Sequence, residues 1–286
     1  MSATAADPRT LWEAVERYHQ LCYWAPEVRE TGAAAGLKGF WMNYFATRVA
    51  PIGAVPAEVA ESLVFYYSPA RVSRAIPDAW RFATPEAVVA ARYEGIDAAL
   101  RRELGDVIDA PEIDAALTVV RAAVDAVDTM GFTLAAGWRS LEWPHAPHLA
   151  LWHGCTVLRE VRSGAHLVAL RAEGLDGCES VVSQVAVDQA PREWIEDEAG
   201  WTPDEAAAAT ERLRERGWID DAGRATEAGR AGRAGVEAAT DRLDSRHWQA
   251  VGADACGRLL DALAPINRIL PKDDQLDWRE LYDPNP

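Results

Sequence analysis

Two stretches of the chain hold residue types that could move protons. In "ERYHQLCYWAPE" His19 and Tyr23 stand one helical turn apart, and Glu27 follows one turn later. In "LWHGCTVLREVRSGAH" His153, Glu160 and Arg162 fall on one helical stretch, with His166 one turn beyond Arg162. A carboxylate and an imidazole that meet in an apolar cavity acquire shifted pKa values suited to acid–base work. Glu27, His19, Glu160 and His153 are therefore the candidate catalytic set. Each also has a plainer reading. His19 and Tyr23 border an apolar face and could be satisfied core groups, and Glu160 with Arg162 could be an interhelix ion pair.

A third stretch could supply walls. "GLKGFWMNYFATRVAPIG" places Phe40, Trp41, Tyr44 and Phe45 on one helix, with Trp41, Phe45 and Arg48 sharing a face and Phe40 and Tyr44 another. Such a stripe suits an aromatic core as well as the wall of a small-molecule pocket, and twelve tryptophans in all favour the second. Tyr23, Trp41, Tyr44, Phe45, Arg162 and His166 are the candidate ligand-binding residues.

Other chemistries lack their residues. His145, His148 and His153 lie close in sequence, but two flank prolines, no acid completes the set and the spacing matches no ligand motif, so no metal is expected. There is no glycine-rich phosphate loop after a strand, no G-x-S-x-G, and no Schiff-base lysine candidate except the glycine-flanked Lys38. No cofactor is expected. Cys22, Cys155, Cys178 and Cys256 are scattered without a C-x-x-C pair and read as small buried hydrophobes in a reducing compartment.

The elements that must position these residues are nearly all helical. Apolar residues recur at helical spacing (Leu11, Val15, Tyr18, Cys22), and start signals stand at Ser68-Pro69, Thr84-Pro85 and the T-x-x-E capping box Thr202–Glu205. The pattern also repeats. Leu151-Trp152 echoes Leu11-Trp12, Gly174-Leu175-x-Gly177 echoes Gly36-Leu37-x-Gly39, Pro191 echoes Pro56, and Pro203 echoes Pro69. The offsets all fall between 134 and 140 residues and in order, which predicts a duplicated unit of ordinary domain size. Where the first copy's helix carries Phe40, Trp41, Tyr44 and Phe45, the second has Cys178, Glu179, Val182 and Ser183, so the copies have diverged where a pocket would form.

In the second copy, "REWIEDEAGW", "TPDEAAAATERLRERGW" and "WIDDAGRATEAGR" predict a short helix, a well-capped helix stopped at Gly217, and two short extended segments around an Asp-Ala-Gly turn. That order is a winged helix-turn-helix. "RLRERGWIDDAGRATEAGR" resembles the recognition-helix end and wing of the MarR superfamily. Over nearly its full length, through "HQLCYWAPE", "SRAIPDAW", "LALWHGCTVLRE" and "GLDGCESVV", the chain resembles an actinobacterial family of presumed helix-turn-helix proteins sometimes labelled SalK. It departs from that family after Leu158, where Val161 and Ser163 stand in "REVRSGAH". The resemblance implies a mainly α fold of two tandem MarR-like winged helix-turn-helix units forming an intramolecular pseudo-dimer. The expected limits are residues 1–127 for a first unit with a degenerate winged helix, 128–147 for a connector, and 148–286 for a second unit with its winged helix at about 192–245. In MarR-like dimers effectors bind between the dimerisation helices and the winged helix, which places the candidate pocket.

Charge and hydropathy limit the partners. The net charge is −16, and residues 192–246 carry nine arginines against fourteen acids, with Asp204 and Glu205 at the start of the predicted recognition helix. Phosphate backbones would be repelled, so nucleic acid is not the expected partner, while an amine-bearing ligand would be drawn in. No apolar run reaches membrane-spanning length, and "MSATAADPRTLWEAVE" lacks the regions of a signal peptide, so a cytoplasmic protein is expected, as a monomeric pseudo-dimer or a homodimer. The functional expectation is a cofactor-independent enzyme of specialised metabolism, using Glu and His on an aromatic or amine substrate, of which a Pictet–Spengler-type condensation is one form. The alternatives are a ligand-responsive regulator, whose DNA patch would be Arg71, Arg74 and Arg212 to Arg216, and a binding protein without turnover.

Overall fold

A computed structural model describes residues 7–271. Residues 1–6 and 272–286, which hold the ends of both expected units and Lys272, lie outside the described residues. The first half contains α1 (Pro8–His19), α2 (Pro26–Ala34), α3 (Gly39–Val49), α4 (Ala57–Leu63), α5 (Pro69–Ser73), α6 (Pro85–Leu104) and α7 (Pro111–Asp125). Then come α8 (Thr133–Arg139), α9 (Pro147–Ala172), α10 (Gly177–Ala186), α11 (Pro203–Glu215), α12 (Glu227–Val251) and α13 (Ala253–Asn267). A 3-10 turn at Gln20–Tyr23 follows α1, and a single π-turn at Trp194–Glu198 precedes α11.

The helix starts form where local chemistry provides for orphan backbone N–H groups. The side chains of Ser68 and Thr84 accept from Arg71 N and Ala87 N, with proline in the first turn of each helix. Thr202 and Glu205 form the reciprocal capping box at α11, and Asp176 and Glu179 form another at α10. Two expectations need correction. The wing is a single bridge, Ile219 to Ala225, and no longer strand occurs among the described residues. Asp220 and Gly223 at φ +77° close the turn between, and the ladder cannot lengthen away from it because α11 ends at Glu215 and α12 begins at Glu227. The 128–147 segment, whose turn-formers and aromatics give no helix signal, contains α8, which buries Leu134, Ala135 and Trp138.

The largest core draws from both halves. It joins Leu11, Val15 and Tyr18 of α1 to Leu100 of α6, Val120 of α7, Leu151, Trp152 and Leu158 of α9, and Leu259 and Leu263 of α13. Two smaller cores flank it, one around Phe45, Val49, Ile76 and Val88, the other around Leu175, Val181, Leu213 and Trp218. Between these two lies the junction of α3, α9 and the turns before α5 and α11. The backbone N–H of Ser68 donates to Ala199 O at 2.8 Å, and Trp201 Nε1 donates to Tyr66 O at 2.8 Å. No described helix is long and apolar enough to cross a membrane.

Candidate functional site

The α3 stripe is where the molecule opens. A cavity of about 290 Å³ lies between α3 and α9. From α3 it takes Phe40, Trp41, Tyr44 and Arg48, which helical spacing sets on adjoining faces. From the segment after α4 it takes Val64, Tyr66 and Tyr67, and from the 3-10 turn Tyr23. The opposite side is Arg159 and Ser163 of α9, one turn apart, with Gln184 of α10 and Trp194 and Glu198 of the π-turn. The rings form a continuous aromatic wall: Tyr44 lies 5.4 Å from Tyr23, 5.9 Å from Trp41 and 5.5 Å from Tyr67, centroid to centroid.

The charges of the site are buried and layered. Glu160, 2% exposed, accepts from Arg159 Nη1 at 3.0 Å and from Arg48 Nη2 at 3.4 Å. Glu16 pairs with Arg159 Nε at 3.4 Å. Burial pushes the Glu160 carboxyl up, but Arg48 and Arg159 outweigh it and hold the group below the usual carboxylate range. Both guanidiniums line the cavity, whereas neither Glu160 nor Glu16 does, and Glu198 is the lining carboxylate. Arg48, 4% exposed, has no hydrogen-bond partner for its Nε among the described residues. Its Nη1 donates to the Tyr44 hydroxyl at 3.4 Å, and Tyr67 donates to the same oxygen at 2.9 Å. Tyr44 then has its own O–H left to give.

Behind Tyr23 the hydrogen bonds have a fixed polarity. Thr156 Oγ1 gives its one proton to Trp152 O at 2.9 Å, so at its 2.9 Å contact with His19 Nδ1 it must accept. His19 is then the Nδ1–H tautomer, and its Nε2 receives the Tyr23 hydroxyl at 2.9 Å. Burial first, then the charges of Arg159, Arg92 and Arg48, keep the imidazole well below its ordinary pKa and neutral.

The candidate residues do not all converge. Tyr23, Trp41 and Tyr44 line the cavity, His19 stands behind Tyr23, and Glu160 stands behind the two arginines. Glu27 is elsewhere: Arg102 of α6 binds it at 2.5 Å, and that hydrogen bond is the largest cause lowering its pKa. His153 is buried against Trp143, with Nδ1 2.7 Å from the Tyr93 hydroxyl, and burial takes it down to about 4. Phe45 is wholly buried in a flanking core and stacks on Trp41 from behind. Arg162 points to α12, where it pairs with Asp241 at 2.8 Å and Asp244 at 3.3 Å. His166 is bonded to Thr240 at 2.9 Å and only its ring approaches Tyr66, at 6.2 Å. The expected convergence of His19, Glu27, Glu160 and His153 on one cavity is thus corrected: His19 and Glu27 belong to different helices, α1 and α2, and His153 stands two turns from Glu160 along α9, so each side chain meets different neighbours.

Residues outside the candidate set complete the site: Phe40, Arg48, Tyr66, Tyr67, Arg159, Trp194 and Glu198. Arg48 had a local signal, since it falls one turn after Tyr44 on the aromatic helix. Arg159 had none beyond its place beside Glu160.

The helix-turn-helix region shows where its arginines are spent. Arg212 binds Asp176 and Glu179, Arg214 binds Glu211, and Arg216 binds Glu173, all between 2.5 and 2.7 Å. Arg71 of α5 lies 4.3 Å over the Trp41 ring and donates to Glu196 O at 3.3 Å. No curated protein and no solved structure matches the chain. A family model described as a helix-turn-helix family matches residues 8–276, and the chain belongs to that family.

Proposed function

We propose that this chain is a small-molecule-binding protein on a helix-turn-helix scaffold that does not read DNA, and that its ligand is a flat aromatic acid. The observation that carries this is the cavity itself, aromatic on its walls and lined by two guanidiniums whose balancing carboxylate, Glu160, stands behind them. A ligand carboxylate can meet Arg48, Arg159 and the Tyr44 hydroxyl in charge-assisted hydrogen bonds while its ring stacks on the wall. We set an acid preference in place of the amine preference expected from net charge, because the local field is dominated by the lining groups, where Arg48 and Arg159 stand against the one carboxylate of Glu198.

We read the scaffold as two tandem MarR-like units, 1–127 and 148–286, around the 128–147 segment. The element order supports this: α1, α3, α5, α6 and α7 have counterparts in α9, α10, α11, α12 and α13, whose starts fall about 134 to 142 residues later in the same order. In a two-fold reader the recognition helices lie about 34 Å apart, one turn of DNA. Here Ser68, the N-cap of α5, is bonded to Ala199, three residues before the N-cap of α11. Three residues span at most about 11 Å, so these helix starts cannot straddle a DNA turn. The ion-paired arginines of α11 argue the same way. If turnover accompanies binding, the proton-transfer groups at the cavity are Tyr23, Tyr44 and Glu198.

The test is calorimetric titration with 4-methoxybenzoate and its neutral counterpart 4-methoxybenzamide, beside a mobility shift with random-sequence duplex DNA at low salt. The carboxylate should bind at least about tenfold tighter than the amide, as a charge-assisted contact requires, with no DNA complex. Equal affinities would remove the acid reading, and a DNA complex would return the chain to the regulators.

A further inference from the structure

A second cavity, of about 470 Å³, lies on the other flank of α9. Its walls are mostly apolar: Leu63, Phe65, Phe132, Leu134, Leu167 and Val168. Phe132 comes from the segment between α7 and α8 and packs closely against α9 at Gly164, where the lack of a Cβ leaves it room. A Cβ at Gly164 would come within 2.6 Å of the Phe132 ring. The two cavities are neighbours in a strict sense. Leu63 and Ser163 line both, and Glu160 lines the second while its partners Arg48 and Arg159 line the first. One leucine, one small serine and one buried ion pair are the partition.

We infer that the two cavities form one binding site for a two-part ligand, an aromatic acid whose apolar arm passes between Leu63 and Ser163 into the second cavity. This rests on the aromatic-acid reading of the first cavity. The occupant of the second follows from its lining. A charged or strongly polar group there would face mostly apolar walls and the Glu160 carboxylate, and Arg171, which also lines the cavity, gives its Nη1 to Leu175 O at 3.2 Å; a hydrocarbon arm instead removes exposed apolar surface such as Val168 from water. The partition also sets the order of the ligand: acid and ring at the arginines, arm beyond them.

The probes are 4-alkoxybenzoates from methoxy to octyloxy, titrated calorimetrically into the wild-type chain and into V168D. Val168 lines only the second cavity and is 47% exposed, so a carboxylate there is compatible with the fold. Wild-type affinity should rise about three- to fourfold per added methylene until the arm fills the space. In V168D that gain should flatten, while the 4-methoxybenzoate affinity stays at the wild-type value. A flat series in the wild type, or an unchanged gain in V168D, overturns the two-part site and leaves the aromatic-acid reading standing. Failure of every member to bind overturns both.

Discussion

Replacing Glu160 with glutamine should weaken the protein and strengthen its hold on an acid. Glu160 touches both lining guanidiniums, at 3.0 and 3.4 Å, and is 2% exposed. A ligand carboxylate on the cavity side of the same guanidiniums would sit about 7 Å from it, twice a contact distance. At an effective dielectric of about 20 the repulsion between two such charges is about 2 kcal/mol. Removing the charge while keeping the side-chain shape should therefore tighten binding of 4-methoxybenzoate roughly thirtyfold. The amide, being neutral, should change little. The cost falls on the empty protein. Arg159 keeps Glu16 at 3.4 Å, but Arg48 loses its carboxylate, and one partner left alone in a buried pair costs about 3 kcal/mol. Calorimetry with both probes and urea unfolding without ligand read the two effects. A folded E160Q protein that binds the acid no tighter, or that gains equally for the amide, would refute the layered-charge reasoning.

Three further outcomes follow from the same geometry. His153 and His247 are taken down to about 4 and His166 to about 3, chiefly by burial, and His19 well below its ordinary range. Their unfolded forms protonate near pH 6.5, so their stabilisation is present above that pH and lost as pH falls from about 6.5 towards 4. Four protons correspond to about 5 kcal/mol per pH unit. Asp244, pushed up to about 7 by burial, opposes this with about 1.4 kcal/mol per unit. Urea midpoints should collapse between pH 7 and 5, and equal midpoints would contradict the neutral buried histidines. Gly177→Ala adds a Cβ that would meet the Phe65 carbonyl oxygen at 2.3 Å, a backbone atom that cannot rotate away, and should cost about 1–3 kcal/mol in denaturant. Tyr23→Phe leaves His19 Nε2 without its 2.9 Å donor and should cost about 1–3 kcal/mol, whereas an unchanged midpoint would remove the deduced tautomer.

Much of the scaffold is legible in the residues because it is locally determined. The Thr202–Glu205 box, the Ser68 and Thr84 caps, and the buried face of Leu11, Val15 and Tyr18 depend only on neighbours within a turn or two. The aromatic divergence of α3 is legible for the same reason, and it marks the cavity. Periodicity tells which face of a helix is covered, not by what. That is why Glu27 turns out to serve Arg102, 75 residues away, and Arg162 to serve α12. Arg48 and Glu160 are 112 residues apart and acquire their meaning only when α3 and α9 meet. The aromatics of the connector gave no sign of α8, since a seven-residue helix buried by tertiary contact needs little propensity of its own.

The cavity wall is contributed by residues from Tyr23 to Tyr67 and again from Arg159 to Glu198, segments that meet only in the finished fold. Any compound that settles there ties the two stretches together and has no counterpart site on the unfolded chain. Occupancy and thermal resistance are then linked: a ligand at a hundred times its Kd adds about 2.7 kcal/mol. For a chain of this size that is a rise in Tm of roughly 4–5 °C. The melting curve of the protein is thereby a detector, and a library of aromatic acids can be screened against it with no turnover to follow.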